Sequence, residues 1–474
     1  MQFWVILLFA VMLVTNSLGS GGVFALTPGQ ATVLSLAPTF ALAAVTHLAV
    51  LLARRSMDRG SLGAITAADR IIAAARFAAV GLHAANVLLF GWLAVVRGVV
   101  GDLVLVDEIL AVTPAVLVIT STWWSFYPID RGLREHVQIR QLERGAPVYP
   151  IPSRAVYVWS NVRHSLLGTA VPMLLLLAWI ESFERVLGWA DGAPLDWQWL
   201  ARPAVRQWVA TGGQLVGVAA VFLLGPLLMR LVWDTTPLGA GPVRDRLLAM
   251  CGQTRVGVRD LLVWRTNGSM VNGAVMGLVG PVRYVLLTDA LLDSLPDDEV
   301  EAVMAHELAH VRHHHMPWLA CVLFAGFSAA SVIAGWFAPL IERLPDRQFV
   351  AAEVLLAVGT LGAVLILFGY ASRRFEWQAD AFAAQHLSAP GRTITEPAVA
   401  AMAGALESVA RLNHIPRDKF TWRHGSIADR QRRLDRLVGQ PIDGLPIDRA
   451  VRRIKRTALA VLLASIIIGM FQPW

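Results

Sequence analysis

The stretch at 305–315 reads AHELAHVRHHH and places five histidines within eleven residues. His306 and His310 are four residues apart, so on a helix they share one face and can reach the same metal ion. Glu307 projects beside them toward the place of a bound water. The pattern H-E-x-x-H therefore predicts a zinc ion and a glutamate that activate water for hydrolysis. The alternative is a polar helix end at a membrane surface.

A zinc ion that keeps one position open needs a third protein ligand. A third histidine ten residues after His306 is excluded, because position 316 is methionine. Residues 371–386 read ASRRFEWQADAFAAQH, in which Glu376 and Asp380 are four apart on one helical face. Glu376 is the natural third ligand, and Asp380 would orient a ligand histidine through its second ring nitrogen. The alternative is a solvated acidic face.

The first motif requires a helix that begins shortly before it. Ser294 can cap this helix, Pro296 suits its first turn, and three acidic residues then complement the helix dipole. We expect the helix to run from about Pro296 to His314. Before it, Arg283–Thr288 is rich in Tyr, Val and Leu and predicts a strand. As an exposed edge, this strand would bind an extended peptide by strand addition. The peptide-binding residues would be Arg283, Tyr284, Val285 and Leu286.

The composition indicates a membrane protein. The 474 residues are 56% hydrophobic and 16% charged, with a mean hydropathy of +0.55. This apolar excess is too large for an ordinary soluble domain of that length. The net charge of +7 fits basic loops between membrane spans. We expect no nucleic-acid partner, since no basic patch is interleaved with exposed aromatics. Cys251 and Cys321 lie in segments of different polarity, which argues against a disulfide framework.

Nine apolar runs are candidate membrane spans. They are 1–18, 31–53, 73–96, 109–128, 165–180, 209–232, 317–341, 354–371 and 457–472. The first could instead be a signal peptide, and the ninth could lie flat on the membrane. The arginine-rich loops after the second and fourth spans should face the cytoplasm. Because two spans separate the polar segments 233–316 and 372–456, both should lie on that same side, and the expected location is the plasma (inner) membrane with the catalytic domain facing the cytoplasm.

Four segments between about 270 and 435 resemble the integral-membrane zinc metalloproteases that include the type-I CAAX prenyl proteases and the bacterial heat-shock membrane protease. They are NGAVMG at 272–277 with RYVLLTDALL at 283–292, HELAH at 306–310, RRFEWQADAF at 373–382 and HGSIADRQRRL at 424–434. The segments stand in the family's order. The N-terminal half is similar to the family only in being multi-spanning.

This resemblance implies that His306, His310 and Glu376 bind one zinc ion per chain and that Glu307 is the general base. It also implies a membrane-embedded endopeptidase acting on membrane-associated or misfolded proteins. Its partners would be peptide or membrane-protein substrates and the lipid bilayer; the oligomeric state stays open. The alternative is a non-catalytic transporter or a metal-stabilised scaffold. The glutamate argues against that alternative, because a purely structural zinc site does not need it.

The resemblance further implies that Asn272, His424 and Arg430 contact the substrate or the developing oxyanion. From spacing alone, these three are turn or surface residues. The chain departs from the family pattern at Gly273, where alanine is usual, and at Gly425, where proline is usual. Both departures affect the geometry of a loop.

The predicted fold class is mainly α: a polytopic helical membrane protein with a small α/β zincin-like catalytic domain split by a transmembrane hairpin. The expected regions are a multi-spanning part at 1–232, the catalytic domain in two parts at 233–316 and 372–456, the hairpin at 317–371 and an apolar segment at 457–474. The metal would then lie at the membrane boundary. The extra histidines His313–His315 should serve interfacial solvation or helix-end charge pairing, with an accessory metal site as the alternative.

Overall fold

The computed structural model describes residues 3–18, 21–61, 63–143, 148–190 and 202–471. Within it, the chain divides into two compact units, Met1–Thr235 and Thr236–Trp474. Each unit buries a hydrophobic core of its own.

The first unit is built almost entirely of helices. They are α1 (Phe3–Leu18), α2 (Pro28–Asp58), α3 (Gly63–Ala84), α4 (Trp92–Val100), α5 (Val106–Glu143), α6 (Arg154–Asn161), α7 (Gly168–Ala190) and α8 (Pro203–Val232). A π-helical turn at Ala85–Leu89 follows α3, and a second one at Val162–Leu167 joins α6 to α7. A capping box between Thr27 and Gln30 starts α2, because each side chain accepts the other residue's backbone N–H.

Helices α1, α3, α5 and α7 contribute to the core of the first unit. Trp4 and Trp123 meet edge to face there, with ring centroids 6.2 Å apart. Arg97 of α4 lies 2.6 Å from Asp107 and 3.0 Å from Glu108, two buried residues in the first turn of α5. Such buried charges are tolerated because they are paired.

Seven helical segments are long and apolar enough to cross a membrane. They are Pro28–Asp58, Gly63–Leu89, Val106–His136, Arg154–Trp189, Val205–Val232, His315–Ile341 and Leu355–Leu387. Seven of the nine predicted spans fall on these segments. The first and ninth predicted spans fall on α1 and on the helix Pro446–Phe471. Neither helix is among the seven segments found in the described part of the chain. The chain is therefore a multi-pass membrane protein.

The second unit combines helices with a small sheet. Its helices are α9 (Pro242–Gln253), α10 (Asp289–Ser294), α11 (Asp297–Arg312), α12 (His315–Ile341), α13 (Asp346–Leu387), α14 (Glu396–Leu412), α15 (Ile427–Asp435) and α16 (Pro446–Phe471). Its strands are β1 (Thr235–Pro237), β2 (Asp260–Trp264), β3 (Gly273–Met276) and β4 (Tyr284–Thr288).

The sheet has the strand order β1-β2-β4-β3. Strand β4 pairs in parallel with β2 and antiparallel with β3, and all five of its residues are buried. The prediction of a strand at Arg283–Thr288 is confirmed to within one residue, but its placement at an exposed edge is wrong. The physical reason is that β4 is apolar on both faces, as strands in the middle of a sheet are. The edge beside α11 is β3.

The start of α11 also differs from the prediction. Ser294 ends the preceding helix α10 and does not cap α11, whose N-cap residue is Pro296. The reason is local, because the Thr288 hydroxyl accepts a hydrogen bond from the Leu291 N–H and caps the short helix α10. This helix extends to Ser294, so Ser294 is its last residue and not the cap of the next helix. The three acidic residues at 297–299 do occupy the first turn of α11, where they complement the helix dipole.

One hydrophobic core joins the two polar segments of the second unit. Leu261 and Leu308 from the first segment lie in the same cluster as Ala384, Leu406 and Leu434 from the second. Helices α12 and the first part of α13 run between the segments and are apolar enough to span a membrane. The predicted fold class is confirmed: the protein is mainly helical and polytopic, with a small sheet.

Candidate metal centre

Three potential metal ligands converge between α11 and α13. One ligand atom from each of His306, His310 and Glu376 lies within 4.8 Å of the other two. Two turns of α11 present both imidazoles on one face, and α13 packs against that face and supplies the carboxylate. The structure therefore brings together the three residues that the sequence predicted as ligands. His306, His310 and Glu376 are called the ligand group below.

The separations fit a single tetrahedral ion. The Nε2 atoms of His306 and His310 are 3.3 Å apart. The Glu376 carboxylate oxygens lie 3.6 Å and 3.7 Å from these two nitrogens. Atoms that are each about 2.0–2.1 Å from one tetrahedral zinc ion are roughly 3.3 Å from each other. Two nitrogens and one oxygen are also a donor set that zinc accepts.

Asp380 lies behind the ligand His306. Its Oδ1 is 2.9 Å from Nδ1 of His306, in a contact bent away from ideal hydrogen-bond geometry. Arg430 donates two hydrogen bonds to Asp380, at 2.8 Å and 2.6 Å. Both residues are buried, so the carboxylate is held in place by a paired charge. This arrangement turns Nε2 of His306 toward the ligand group.

His424 contacts the third potential ligand, Glu376, and remains open to solvent. Its Nδ1 lies 3.1 Å from a Glu376 oxygen, and 52% of its side chain is exposed. Arg430 also faces this carboxylate, with Nη1 3.6 Å from it, but its own side chain is only 7% exposed. Of these two predicted catalytic residues, only His424 is directly accessible to a substrate.

Glu307 lies on α11 next to strand β3. It is partly exposed and accepts a backbone hydrogen bond from Val275. The close packing of β3 on α11 explains Gly273: a Cβ at that position would lie 2.8 Å from Cγ1 of Val303 and 3.5 Å from Cγ of Glu307. The glycine thus allows the edge strand to approach the glutamate.

In the metal-free protein, the pKa values of His306, His310 and Glu307 are shifted strongly from their ordinary values. Burial lowers the pKa of His306, but the carboxylates of Asp380 and Glu376 outweigh it and raise the value to about 10. Burial lowers the pKa of His310 to about 4. Burial, together with the Glu376 charge, raises the pKa of Glu307 to about 7. Such divergent values within one cluster are typical of functional sites.

His315 is a site residue that the sequence did not reveal. Its Nδ1 lies 2.8 Å from Nδ1 of His310, and its Nε2 lies 3.0 Å from Oε1 of Gln378. The Gln378 amide in turn donates to Asp448 at 2.7 Å. The interfacial role expected for His315 is therefore wrong, because the ring is fully buried and stacks on Phe375 at 4.6 Å.

Helical spacing could not have found His315, because α11 ends between it and His310. His314 adopts a left-handed conformation with φ 56°, and this turn brings the His315 ring back toward the ligand group. His314 itself is exposed, so a solvated role for it stays a prediction. No motif or spacing in the sequence marked Gln378 as a residue of the site.

The residues predicted to bind peptide divide into two sets. The Asn272 side chain is exposed at the start of β3, and its backbone N–H donates to the Thr288 hydroxyl at 3.0 Å. The Arg283 guanidinium instead donates to the carbonyls of Gly277 and Gly257, at 3.1 Å and 2.8 Å. The peptide-binding role expected for β4 is wrong, because its side chains belong to the core and both its edges are paired. The correction applies to Tyr284, Val285 and Leu286 for this reason, and to Arg283 because its guanidinium is bound to the chain's own carbonyls.

Comparison with known proteins gives a family match over the region that holds these residues. Residues 261–438 match Peptidase family M48. A Protease HtpX homolog of Bacteroides fragilis is 30% identical over 131 residues, which are 25% of this chain and 40% of that protein. The CAAX prenyl protease 1 homolog of Arabidopsis thaliana is 28% identical over 174 residues, 34% of this chain and 39% of that protein. The matches thus cover about two fifths of these relatives.

The family match supports the resemblance drawn from the four motifs, because the matched residues 261–438 contain all of them. All predicted metal ligands and Asn272, His424 and Arg430 lie inside this region. A crystal structure of S. mikatae Ste24p is also similar, with a TM-score of 0.47 and 14% sequence identity over 91% of this chain and 99% of that one.

Proposed function

We propose that this protein is a zinc endopeptidase of the membrane, of the H-E-x-x-H plus glutamate type. The observation that supports this most directly is the convergence of His306, His310 and Glu376 beside Glu307. These three residues would hold one zinc ion. When bound, zinc supplies Lewis-acid chemistry, because it acidifies water and polarises a carbonyl group.

Glu307 is the proposed general base. It would take a proton from the attacking water and pass it to the leaving amine. A base works best when its pKa is close to the working pH, and burial raises the pKa of Glu307 to about 7. The backbone N–H of Val275 keeps the carboxylate oriented from the side of the edge strand.

His424 is the proposed donor to the developing oxyanion, because it is the exposed member of the site. Arg430 would act behind the site, where it holds Asp380 against His306. Asp380 would orient His306, and His315 would do the same for His310.

The proposed substrate mode is strand addition at β3. This strand forms one edge of the sheet and packs beside α11, so an extended peptide paired with it would run past Glu307. Asn272, at the start of β3, would contact the same peptide. Backbone pairing tolerates many side chains, which suits membrane-associated or misfolded polypeptides as substrates. The proposed location is the plasma (inner) membrane with the second unit facing the cytoplasm.

The decisive test compares Glu307→Gln with the matched variant Glu301→Gln in the purified full-length protein. Glu301 lies on the same helix but pairs with Arg246 at 2.8 Å, away from the ligand group. We expect Glu307→Gln to bind zinc and to lose cleavage of unfolded casein by at least 100-fold, the scale of a lost general base. Glu301→Gln should cleave normally. A zinc-loaded wild type that does not cleave casein or a peptide library would favour the transporter or scaffold alternative.

A further inference from the structure

A cavity opens between α13, α15 and α16 behind the ligand group, and the buried pair Asp380 and Arg430 forms part of its lining. Its volume is about 460 Å³. Four arginine side chains line it together with one aromatic ring and an apolar wall. The arginines are Arg374, Arg430, Arg433 and Arg436; the ring is Trp377; the wall includes Leu437, Ile447 and Ala450.

The positive charge of this cavity is only partly balanced. Arg430 is paired with Asp380, and Arg433 lies 2.9 Å from Asp429. Neither Arg374 nor Arg436 forms an ion pair with a carboxylate of the described residues. Two guanidinium groups are thus left to repel their neighbours in a concave site, which attracts an anion.

Trp377 holds two of these cations in position. The guanidinium carbons of Arg433 and Arg374 lie 3.5 Å and 4.0 Å from its ring centroid. Both distances are typical of cation–π contacts, which fix a guanidinium without using its N–H donors. Arg433 uses its Nε–H on Asp429, while the N–H donors of Arg374 remain available to a ligand, and the site is organised before the ligand binds.

Part of the cavity lining lies on a helical segment that is apolar enough to span a membrane, Leu355–Leu387. Arg373 and Arg374 are the first charged residues of this segment, so we expect the boundary of the hydrocarbon core near them. On α16, the long apolar run begins after Arg456, which is within roughly 15 Å of Ile447 along the helix axis. Phospholipid phosphates lie at this boundary, and basic pockets beside membrane helices bind anionic headgroups.

We propose that this cavity binds the phosphate group of an anionic phospholipid. Guanidinium groups donate paired hydrogen bonds to phosphate oxygens, which suits Arg374 and Arg436. The apolar wall at Ile447 and Ala450 would face the glycerol and the first acyl carbons. Inorganic phosphate shares the headgroup's chemistry but would gain nothing from that wall.

The test uses the full-length protein in detergent and phosphatidylglycerol as the probe, with bound lipid measured by native mass spectrometry. We expect the double variant Arg374→Gln/Arg436→Gln to bind phosphatidylglycerol about 10- to 30-fold more weakly, since each arginine near a lipid phosphate contributes about 1 kcal/mol. The matched control Arg432→Gln/Arg452→Gln removes the same charge from exposed positions outside the cavity and should bind normally.

Two further arms keep the test decisive. Phosphatidylcholine has the same phosphodiester, but its choline cation cancels the negative charge, so it should bind the wild type more weakly than phosphatidylglycerol does. Excess inorganic phosphate should compete only weakly with phosphatidylglycerol. Equal loss in the double variant and its control would overturn the proposal, as would complete displacement by inorganic phosphate. Far-UV circular dichroism of the same samples reports whether each variant is folded.

Discussion

The Nδ1 atoms of His310 and His315 lie 2.8 Å apart, which fixes the direction of a chain of hydrogen bonds. For His310 to present its Nε2 lone pair to the proposed zinc ion, its Nδ1 must carry the proton, so His310 would donate and His315 would accept. The Nε2–H of His315 then donates to Gln378, whose amide donates to Asp448. The orientation of one ligand is thus set by residues on α12, α13 and α16.

Replacing His315 should weaken metal binding. His315→Phe keeps a ring against Phe375 but removes the acceptor for His310, so we expect zinc affinity to fall about 10- to 100-fold. Competition with a chromophoric chelator measures this affinity independently of activity. The control His314→Asn changes an exposed neighbour to a residue that tolerates the same left-handed backbone. Unchanged zinc affinity in His315→Phe would contradict the orienting role.

A methyl group at position 273 should push β3 away from α11. Gly273→Ala places Cβ against Val303 at 2.8 Å, so we expect a loss of about 1–3 kcal/mol in the free energy of unfolding. Val303→Ala removes the clashing methyl groups and should offset part of that loss in the double variant. A double-mutant cycle by chemical denaturation measures this coupling. Strictly additive losses would show that β3 and α11 do not meet there.

Breaking the pair of Asp380 and Arg430 should cost more than breaking an exposed ion pair. Asp380→Asn leaves the buried guanidinium without its counter-charge, which costs about 3–5 kcal/mol in stability. Asp429→Asn removes an ion pair with the more exposed Arg433 and should cost less than about 1 kcal/mol. Denaturation midpoints compare the two variants. Similar midpoints would mean that Arg430 finds another partner.

The raised pKa of Glu307 predicts a pH-dependent effect in the metal-free protein. Its pKa rises from 4.5 in the unfolded chain to about 7 in the fold, so the folded state loses stability as pH increases through this range. Glutamine cannot ionise. Metal-free Glu307→Gln should therefore be more stable than the wild type, on the order of 1 kcal/mol at about pH 8.

The stability difference should shrink toward about pH 5, where the folded carboxyl group is protonated. Thermal midpoints in the presence of a chelator provide the measurement. Glu301→Gln, on the same helix, controls for the loss of a charge. A stability gain that is constant across this pH range would show that Glu307 has an ordinary pKa.

The sequence predicted the parts of the site that depend on helical periodicity. His306 and His310 share a face because they are four residues apart, and Asp380 follows Glu376 at the same spacing. The helix caps and the order of the strands in the sheet were harder to predict from the sequence. An apolar strand such as β4 does not reveal whether one or both of its edges are paired, so β4 was placed at the edge that β3 occupies.

Residues that depend on a turn between helices were not predictable. His315 reaches His310 only because His314 adopts a positive φ, which is uncommon for a residue with a side chain. Gln378 and Asp448 are 70 positions apart in the chain and meet only in the folded protein. Periodicity contains no information about such contacts.

Helix α13 is 42 residues long and continues unbroken from Asp346 to Leu387, through the apolar run and past Glu376. At 1.5 Å per residue it is about 63 Å long. Glu376 therefore lies on the same continuous helix as an apolar segment that is long enough to span a membrane. A change in bilayer thickness that tilts this helix would displace Glu376 relative to the two imidazoles, so the proposed endopeptidase activity should depend on bilayer thickness.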